Sequence, residues 1–451
     1  MTDTEAEEDR FSSLPFEIKI YILDFLEIKD AVRTSSLARS WHDLWTHLPR
    51  LLLANLQDTL GDNHDSGTSN WIQRVYNLVS SLQGPLNFFQ LVYDGIMSAD
   101  EYVFLQSLLD LLPQKGGVEK LDLLFQPDMK DEVIRLPSFH SVYVLHLFGC
   151  RVVLPTCFQG FRRLKTLSLR TVGISNDDLN LLVRTSKNLT SLAISDCYTL
   201  GDPLSVDLSL PFMRHLEFRG IYNDFVEKVL AFSAPCLKQA VIGLSHVDYS
   251  SQNLAQMILL LVTSVAMVDS LDLSFDVLRC LSLVNLPFNF TFPCLRCLKL
   301  PLNVDTVNKR MCEAFLWLLR SMPFLDELEV ELERDDDYDQ ADGVAILMAE
   351  LLVKKHNGLT CLERTMTSVT IDMSCMDVIT SIAMISITMI QFFLSNAKVL
   401  KLLKIDHVCG AYGASVMPSM IEELQKAELT SSGAKVMISD GTMSNKYIVY
   451  D

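Results

Sequence analysis

The sequence has few basic residues for its size. Its 451 residues include 38 Lys and Arg against 56 Asp and Glu, a formal net charge of −18. Proteins that wrap nucleic acid need clustered cations against phosphates, so this balance argues against that class. Residues 1–9 hold five acids and no base, and residues 326–339 hold nine acids and one base. The excess negative charge therefore belongs mainly to two surface segments and does not indicate a negative electrostatic potential over the whole molecule.

Long apolar runs are also missing. Residues 254–268 and 378–390 fall short of the roughly 20 apolar residues that a membrane-spanning helix needs, so we expect buried helices there. The acidic N-terminus does not resemble a secretory signal peptide. The 11 cysteines are scattered along the chain. We therefore expect reduced thiols in a protein of the cytoplasm, the nucleus or both, and not a secreted one.

The sequence contains no motif that carries chemistry. No Gly-rich phosphate loop precedes a helix, and no Ser/His/Asp or Cys/His arrangement stands out. Cys294 and Cys297 form the single close Cys pair, without the second pair or the His spacing of a zinc site. His146 and His215 fall at or beside predicted strand positions, which indicates structural roles. We expect no catalytic residue, no metal site and no cofactor.

A repeat is what the sequence does contain. Three apolar residues in the order apolar, two others, apolar, one other, apolar recur nine times at spacings of 22 to 31 residues. Each copy alternates like a short strand with one buried face, and the spacing leaves room for a helical return segment. One unit cannot cover its own apolar face, so successive units stack and share one core. The nine copies, followed by two weaker ones, are Val118/Leu121/Leu123, Val142/Leu145/Leu147, Leu164/Leu167/Leu169, Leu189/Leu192/Ile194, Met213/Leu216/Phe218, Leu237/Ala240/Ile242, Val268/Leu271/Leu273, Leu295/Leu298/Leu300, Leu325/Leu328/Val330, Met366/Val369/Ile371 and Leu400/Leu403/Ile405.

This pattern resembles the leucine-rich repeat (LRR). The resemblance implies an α/β solenoid with parallel strands on the concave side and helices on the convex side. Residues 177–185 and 311–320 have the helical spacing of return segments. LRR proteins often place Asn or Cys three residues after the last strand position. Only some copies do so here, with Cys150, Cys197 and Asn303, so we expect an incomplete internal ladder.

Residues 9–50 predict three short helices with more apolar surface than so small a core can bury. Ser13 and Asp30 are the predicted caps of the first two helices. The motif is carried by Leu14, Pro15, Glu17, Ile18, Ile22, Leu23, Leu26, Asp30, Val32, Arg33, Thr34, Ser35, Leu37, Arg39, Trp41, Leu44 and Trp45. It resembles the plant form of the F-box almost position by position. Ser40 departs from it, because a second basic residue is common at that place.

The F-box resemblance implies a function. The F-box would bind a Skp-type adaptor and through it a cullin-RING scaffold, while the LRR solenoid binds an unknown target protein. The chain is then the substrate-recognition subunit of an SCF-type E3 ubiquitin ligase and not an enzyme, since its contribution is proximity. Neither nucleic acid nor a membrane is an expected partner. The adaptor-binding residues carried over are Leu14, Pro15, Ile18, Ile22, Leu23 and Leu26.

A second reading keeps the fold and changes the role. The chain would be a non-catalytic LRR interaction scaffold that acts outside a ligase complex. In both readings a target binds the outward face of the sheet, which displays the residue between the last two apolar positions of each copy. That row is mixed early and mostly acidic later, so we predict that its later part meets a basic patch. The predicted target-binding residues are Glu217, Asp272, Lys299 and Glu329.

The C-terminal part has a resemblance of its own. It is carried by Phe393-Leu394, Asn396-Ala397, Val399-Leu400 and Leu403-x-Ile405, which resemble the FBD region that ends many plant F-box/LRR proteins. The acidic stretch usual before the Asn-Ala pair is replaced by an apolar one. A compatible interpretation is one or two further strand-helix units that close the core. The predicted segments are 9–50, the F-box; 51–115, a linker and the first part of the solenoid; 116–335, the LRRs; 336–360, an acidic loop and helix; 361–410, the FBD-like region; and 411–451, a tail.

Overall fold

In the computed structural model the chain divides into two compact units, residues 1–213 and 214–451. Each unit is described by itself. The structure describes residues 10–54, 71–94, 97–126, 133–198, 207–221, 231–244, 252–303, 308–333, 359–373, 389–407, 431, 434–439 and 446–449. Residues 336–358 of the predicted acidic loop and helix at 336–360, and most of the apolar run 378–390, lie outside these residues.

Two short α-helices and three 3-10 turns form the N-terminal module. Helices α1 (Phe16–Leu23) and α2 (Ile28–Arg33) are followed by turns at Thr34–Ser36, Arg39–Trp41 and Leu44–His47. The expected third helix is therefore built from 3-10 turns. The core of the module contains Leu23, Ala31, Trp41, Leu44 and Leu48, with Ile20, Ile28, Ala38 and Trp45 packed against it.

The two predicted helix caps are wrong. Pro15 is the N-cap of α1, and its carbonyl accepts a hydrogen bond from Lys19 N at 3.1 Å. Proline lacks an N–H and has a fixed φ, so it begins a helix without a capping side chain. Ser13 Oγ donates instead to Arg10 O at 3.0 Å. Asp30 lies in the first turn of α2, where it pairs with the Arg33 guanidinium.

A parallel sheet forms the main part of the first unit. Register pairs of neighbouring strands run without interruption from one strand to the next. The strands in sheet order are β1 (Arg50–Leu53), β2 (Phe88–Tyr93), β3 (Lys120–Phe125), β4 (Val144–Phe148), β5 (Thr166–Arg170) and β6 (Ser191–Ser195). A second, smaller parallel sheet contains Val133–Arg135, Arg151–Val153 and Gly173–Ile174.

Among the described residues of the first unit, three helices return the chain between strands. They are α3 (Trp71–Ser81), α4 (Ala99–Leu111) and α5 (Asn176–Thr185). Helix α4 begins at a capping box, in which Ser98 Oγ accepts from Glu101 N at 3.3 Å and Ser98 N donates to Glu101 Oε2 at 3.1 Å. Helix α5 confirms the return segment predicted at 177–185.

The second unit repeats this plan. Its strands pair in chain order, all parallel except the last pair, which is antiparallel. They are β7 (His215–Ile221), β8 (Gln239–Leu244), β9 (Ser270–Leu273), β10 (Cys297–Asn303), β11 (Glu327–Glu333), β12 (Ser368–Met373), β13 (Leu402–His407), β14 (Lys435–Ser439) and β15 (Lys446–Val449). The helices are α6 (Gln252–Ser264), α7 (Phe275–Leu281), α8 (Lys309–Ser321) and α9 (Thr360–Arg364), and residues 389–396 are also helical.

The repeat prediction is confirmed. The second and third apolar residues of every triplet lie on a strand, including the two weaker copies on β12 and β13. Leu121 and Leu123 on β3 are fully buried, as are Val369 and Ile371 on β12. Burial of alternate side chains is what holds such a strand against its return segment. The outward residues between them form the exposed face of each sheet.

The partial internal ladder is also present. Cys150, Cys197 and Asn303 are all buried, and Cys197 Sγ donates to Leu169 O at 3.4 Å. Burial raises the pKa of the Cys197 thiol to about 12. The run 254–268 forms α6 and the turn after it, with Ile258 buried. Among the described residues, no helix is long and apolar enough to cross a membrane.

Candidate functional site

Helix α1 is apolar on nearly every side. Its sequence FEIKIYIL directs Leu23 and Ile20 into the core of the module. A helix of this size cannot bury the rest, so Ile18 is 44% exposed and Tyr21 62% exposed. Phe25, just beyond the helix, stacks edge-to-face on Tyr21 with ring centroids 4.9 Å apart. Such a contiguous apolar surface indicates a protein partner.

Five of the six predicted adaptor-binding residues reach solvent. Pro15, Ile18 and Leu26 are exposed, and Leu14 and Ile22 are partly exposed. We call these five residues the α1 surface. Leu23 is placed differently, because its side chain is fully buried in the core of the module. In this arrangement it supports the helix and offers no surface to a partner, which corrects its assignment as a contact residue.

Lys19 is a residue that sequence reasoning missed. It is buried at 6% exposure. Its Nζ donates to Ser12 O at 2.8 Å and lies 5.7 Å from the centroid of the Trp41 ring. A buried ammonium needs partners of this kind, a carbonyl and an aromatic face. Lys19 thereby holds the segment before α1, which carries Leu14, onto the core.

The N-terminal module is attached to the first strand of the sheet. Arg50 on β1 donates from Nε to Asp24 Oδ1 at 2.9 Å and contacts Asp24 Oδ2 through its terminal nitrogen at 2.7 Å. The hydrogen bond to Asp24 raises the pKa of Arg50. The N–H of Gln83 donates to Thr46 O at 2.8 Å. Gly84 packs closely against the backbone of His47, because a Cβ added at Gly84 would lie 2.8 Å from His47 Cα.

The four predicted target-binding residues share one row of the second unit's sheet. Register pairs connect Glu217, Val241, Asp272, Lys299 and Glu329 in that order across neighbouring strands. The repeat spacing therefore places these side chains on the same face. That they contact a target stays a prediction.

Most of the charge in this row is matched within the chain. Arg219 Nε lies 2.7 Å from Glu217 Oε1, and its terminal nitrogen lies 3.3 Å from Asp272 Oδ2. Lys299 Nζ lies 2.8 Å from Glu329 Oε1 and 3.5 Å from Glu331 Oε2. Burial raises the pKa of Asp272, although Arg219 and Lys299 oppose this shift. Sequence reasoning missed Arg219, whose signal was its position two residues after Glu217 on the same strand.

The surplus acid of this face comes from β11. Its sequence places Glu327, Glu329 and Glu331 at alternate positions, and alternate positions on a strand share a face. Lys299 contacts two of these three carboxylates, those of Glu329 and Glu331. The face therefore keeps a net negative charge along this strand.

Cys297, one of the two cysteines of the close pair, lies on the same face. The reactivity of its thiol reports on the negative charge beside it. Its Sγ donates to Glu327 Oε2 at 3.3 Å. Burial and then this contact raise the pKa of Cys297 to about 11, so the thiol stays protonated at neutral pH. We expect slow alkylation by iodoacetamide near pH 7.5, well behind the exposed Cys157. Mass spectrometry of timed samples measures both rates.

The control for this prediction is Glu327→Gln. Removing the carboxylate takes away a cause of the raised pKa, so Cys297 should react faster while Cys157 is unchanged. Equal rates for Cys297 and Cys157 in the unaltered chain would contradict the assignment.

Within the described residues, no group of three or more His, Cys, Asp or Glu could hold a metal ion.

Comparison with known proteins decides the family. The F-box domain model matches residues 11–53. The family model described as "FBD-associated F-box protein At5g56370, LRR repeats" matches residues 105–330, which is half of the chain. The chain belongs to the plant F-box/FBD/LRR-repeat family. The resemblances of the N-terminal motif and of the repeat are both confirmed, whereas the segment boundaries, including those of the FBD-like region, stay predictions.

Curated relatives of this F-box/LRR chain come from Arabidopsis thaliana. F-box/FBD/LRR-repeat protein At1g13570 is 27% identical over 233 residues, which is 50% of this chain and 53% of the relative. F-box/LRR-repeat protein At2g42720 is 25% identical over 246 residues, 54% of this chain and 50% of the relative. FBD-associated F-box protein At5g18780 is 40% identical over 90 residues, 19% of this chain and 20% of the relative. The chain thus spans about half the length of the first two relatives and less of the third.

Proposed function

We propose that this F-box/LRR protein is the substrate-recognition subunit of an SCF-type cullin-RING E3 ubiquitin ligase. The observation that carries the proposal is the α1 surface, an exposed apolar patch on an F-box that is joined directly to a repeat sheet. The F-box would bind a Skp-type adaptor, and the exposed sheet faces would bind the target. F-box/LRR proteins are generally non-catalytic adaptors, and a role as substrate adaptor is typical of them.

The proposed mechanism is proximity. The chain holds a target protein near a ubiquitin-loaded enzyme elsewhere in the assembly, so the target Lys attacks in an effectively intramolecular step. In such a mechanism the chain contributes by the way it positions the target and not by a reactive side chain. The bidentate contact between Arg50 and Asp24 and the pairing of β1 with β2 fix the F-box to the first unit's sheet. A rigid connection of this kind preserves the distance between adaptor and target.

Coelution with a purified plant Skp-type adaptor tests the adaptor step. We expect the intact chain to form a stable complex on size-exclusion chromatography, and the variant with Leu14→Ala and Pro15→Ala to elute alone. Both side chains reach solvent, so the variant should keep its fold, which circular dichroism checks. Elution of the intact, folded chain without the adaptor would overturn the proposal and favour the scaffold role.

The predicted target-binding row has its own test. Reversing Glu217, Asp272 and Glu329 to Lys removes three acids and places new cations beside Arg219 and Lys299. We expect binding of a fluorescent Lys-rich dodecapeptide to weaken roughly tenfold at low salt, since exposed ion pairs contribute about 0.2–1 kcal/mol each. Fluorescence anisotropy measures the change.

The matched control for this row reverses three exposed acids on helices of the first unit, Asp100, Asp110 and Asp177. It alters the net charge by the same amount away from the row. Binding that is unchanged by the row variant, or equally weakened by the control, would show that the row does not recognise a basic partner.

A further inference from the structure

The exposed sheet face of the first unit differs from that of the second. Outward residues of β2, β3 and β4 form a partly exposed apolar stripe of Val92, Leu124 and Phe148, which are register neighbours. The next residue in this row, on β5, is Arg170. The stripe is therefore apolar with a cation beside it, whereas β11 of the second unit displays Glu327, Glu329 and Glu331.

Two cations are held in place on this first-unit face. Lys120 Nζ lies 5.5 Å from the centroid of the Phe88 ring, and the Arg170 guanidinium carbon lies 5.7 Å from that of the Phe148 ring. Each cation and its ring are register neighbours on adjacent strands. A cation over a ring face is attracted by the ring quadrupole, which restricts where the cation lies.

The carboxylate of this face is largely buried. Among the outward residues of β2 to β5, all of which the structure describes, Asp122 is the one acid. Its Oδ1 lies 3.0 Å from His146 Nδ1, and only 14% of its side chain is exposed. The exposed charge of the face is therefore set by Lys120 and Arg170.

The two cations have a defined spacing. Lys120 on β3 pairs with Val144 on β4, which pairs with Thr166 on β5, so two strand spacings separate Lys120 from Thr166. Arg170 lies four residues after Thr166 on the same strand. Strands lie about 4.8 Å apart and rise about 3.3 Å per residue, so the two backbone positions are roughly 16 Å apart along a diagonal. An extended segment covers this distance in about five residues, and side chains four or six positions apart on it point to the same side.

We propose that this face recognises an extended segment of a target protein that carries two acidic side chains, roughly five residues apart, around apolar ones. The acids would pair with Lys120 and Arg170, and the apolar side chains would cover Leu124 and Phe148. The proposal rests on the proposed role in target recognition and adds the chemistry of the target. It assigns the first unit a preference opposite to that predicted for the row of the second unit.

A phage library of random dodecapeptides, selected on the full chain, tests this inference. We expect enriched peptides with two acids about five residues apart and apolar residues between them. The best peptide should bind the variant with Lys120→Glu and Arg170→Glu about tenfold or more weakly by fluorescence anisotropy. A second variant, with Lys120→Gln and Arg170→Gln, should show an intermediate loss without placing new acids on the face.

The matched control reverses Arg162 and Lys187, which are exposed and lie outside the strands. It should leave peptide binding unchanged. Selection of basic peptides, no enrichment at all, or equal binding to the control and the Glu variant would each overturn the inference. The assay contains no adaptor, so adaptor coelution of the same variants reports separately on the proposed function.

Discussion

The variant with Ile18→Glu and Leu26→Glu is expected to lose binding to a Skp-type adaptor by at least about a hundredfold. Both side chains are more than 40% exposed on the α1 surface, so the free protein tolerates the change. Burying an apolar side chain of this size contributes about 1.5–3 kcal/mol, and an unpaired carboxylate at the same place adds a desolvation penalty. Isothermal titration calorimetry measures the affinity.

Two further variants separate binding from folding. Leu260→Glu changes another exposed leucine, on α6, and should leave adaptor affinity unaltered. Leu23→Ala removes a fully buried side chain and should lower the free energy of unfolding by about 2–5 kcal/mol. If the double Glu variant bound the adaptor as the intact chain does, the α1 surface would not be the contact.

The variant Gly149→Ala is expected to destabilise the first unit by about 3 kcal/mol or more. Gly149 follows β4 with a φ of +70°, and its N–H donates to Arg170 O at 3.0 Å. An added Cβ would lie 2.2 Å from Phe125 O, so the backbone of the neighbouring repeat must move. The cost combines strain at positive φ with this backbone collision. Urea unfolding followed by circular dichroism measures it.

Gly116→Ala is the matched control for this effect. Gly116 also has a positive φ, of 80°, but the nearest atoms to its added Cβ are Pro85 Cα and Cβ, both at 3.9 Å. It should therefore cost only the conformational strain. Equal shifts of the unfolding midpoint for the two variants would show that the collision at Phe125 is relieved.

Periodicity predicted the central repeats well. Triplets such as Leu298 with Leu300 became buried strand positions, because alternation and a fixed spacing admit one stacking of units. Strands β1 and β2 lie in a segment predicted only as a linker and the first part of the solenoid, although each carries the same triplet. The sequence analysis missed these two copies, Leu48/Leu51/Leu53 and Leu86/Phe89/Leu91, and all six side chains are buried. Helix ends were predicted less well, as Pro15 shows.

The candidate target-binding row was also predicted only in part. The repeat spacing was enough to place Glu217, Asp272, Lys299 and Glu329 in one row, because register follows from equal units. It did not show that Arg219 contacts two of these acids, Glu217 and Asp272. That contact reaches from β7 to β9 and depends on side-chain reach across an intervening strand.

The sequence by itself determined the family, the order of modules and the set of residues on each sheet face, because all three follow from motifs and periodicity along the chain. Only the tertiary structure decided which apolar residues of α1 face solvent. Ile18 and Leu23 look alike in the sequence, yet packing against Trp41 and Leu44 buries Leu23 and leaves Ile18 exposed. The same holds for charge, since a neighbouring strand decides whether a carboxylate such as Glu329 has a cation beside it. Both outcomes depend on contacts between residues distant in sequence, which local patterns do not encode.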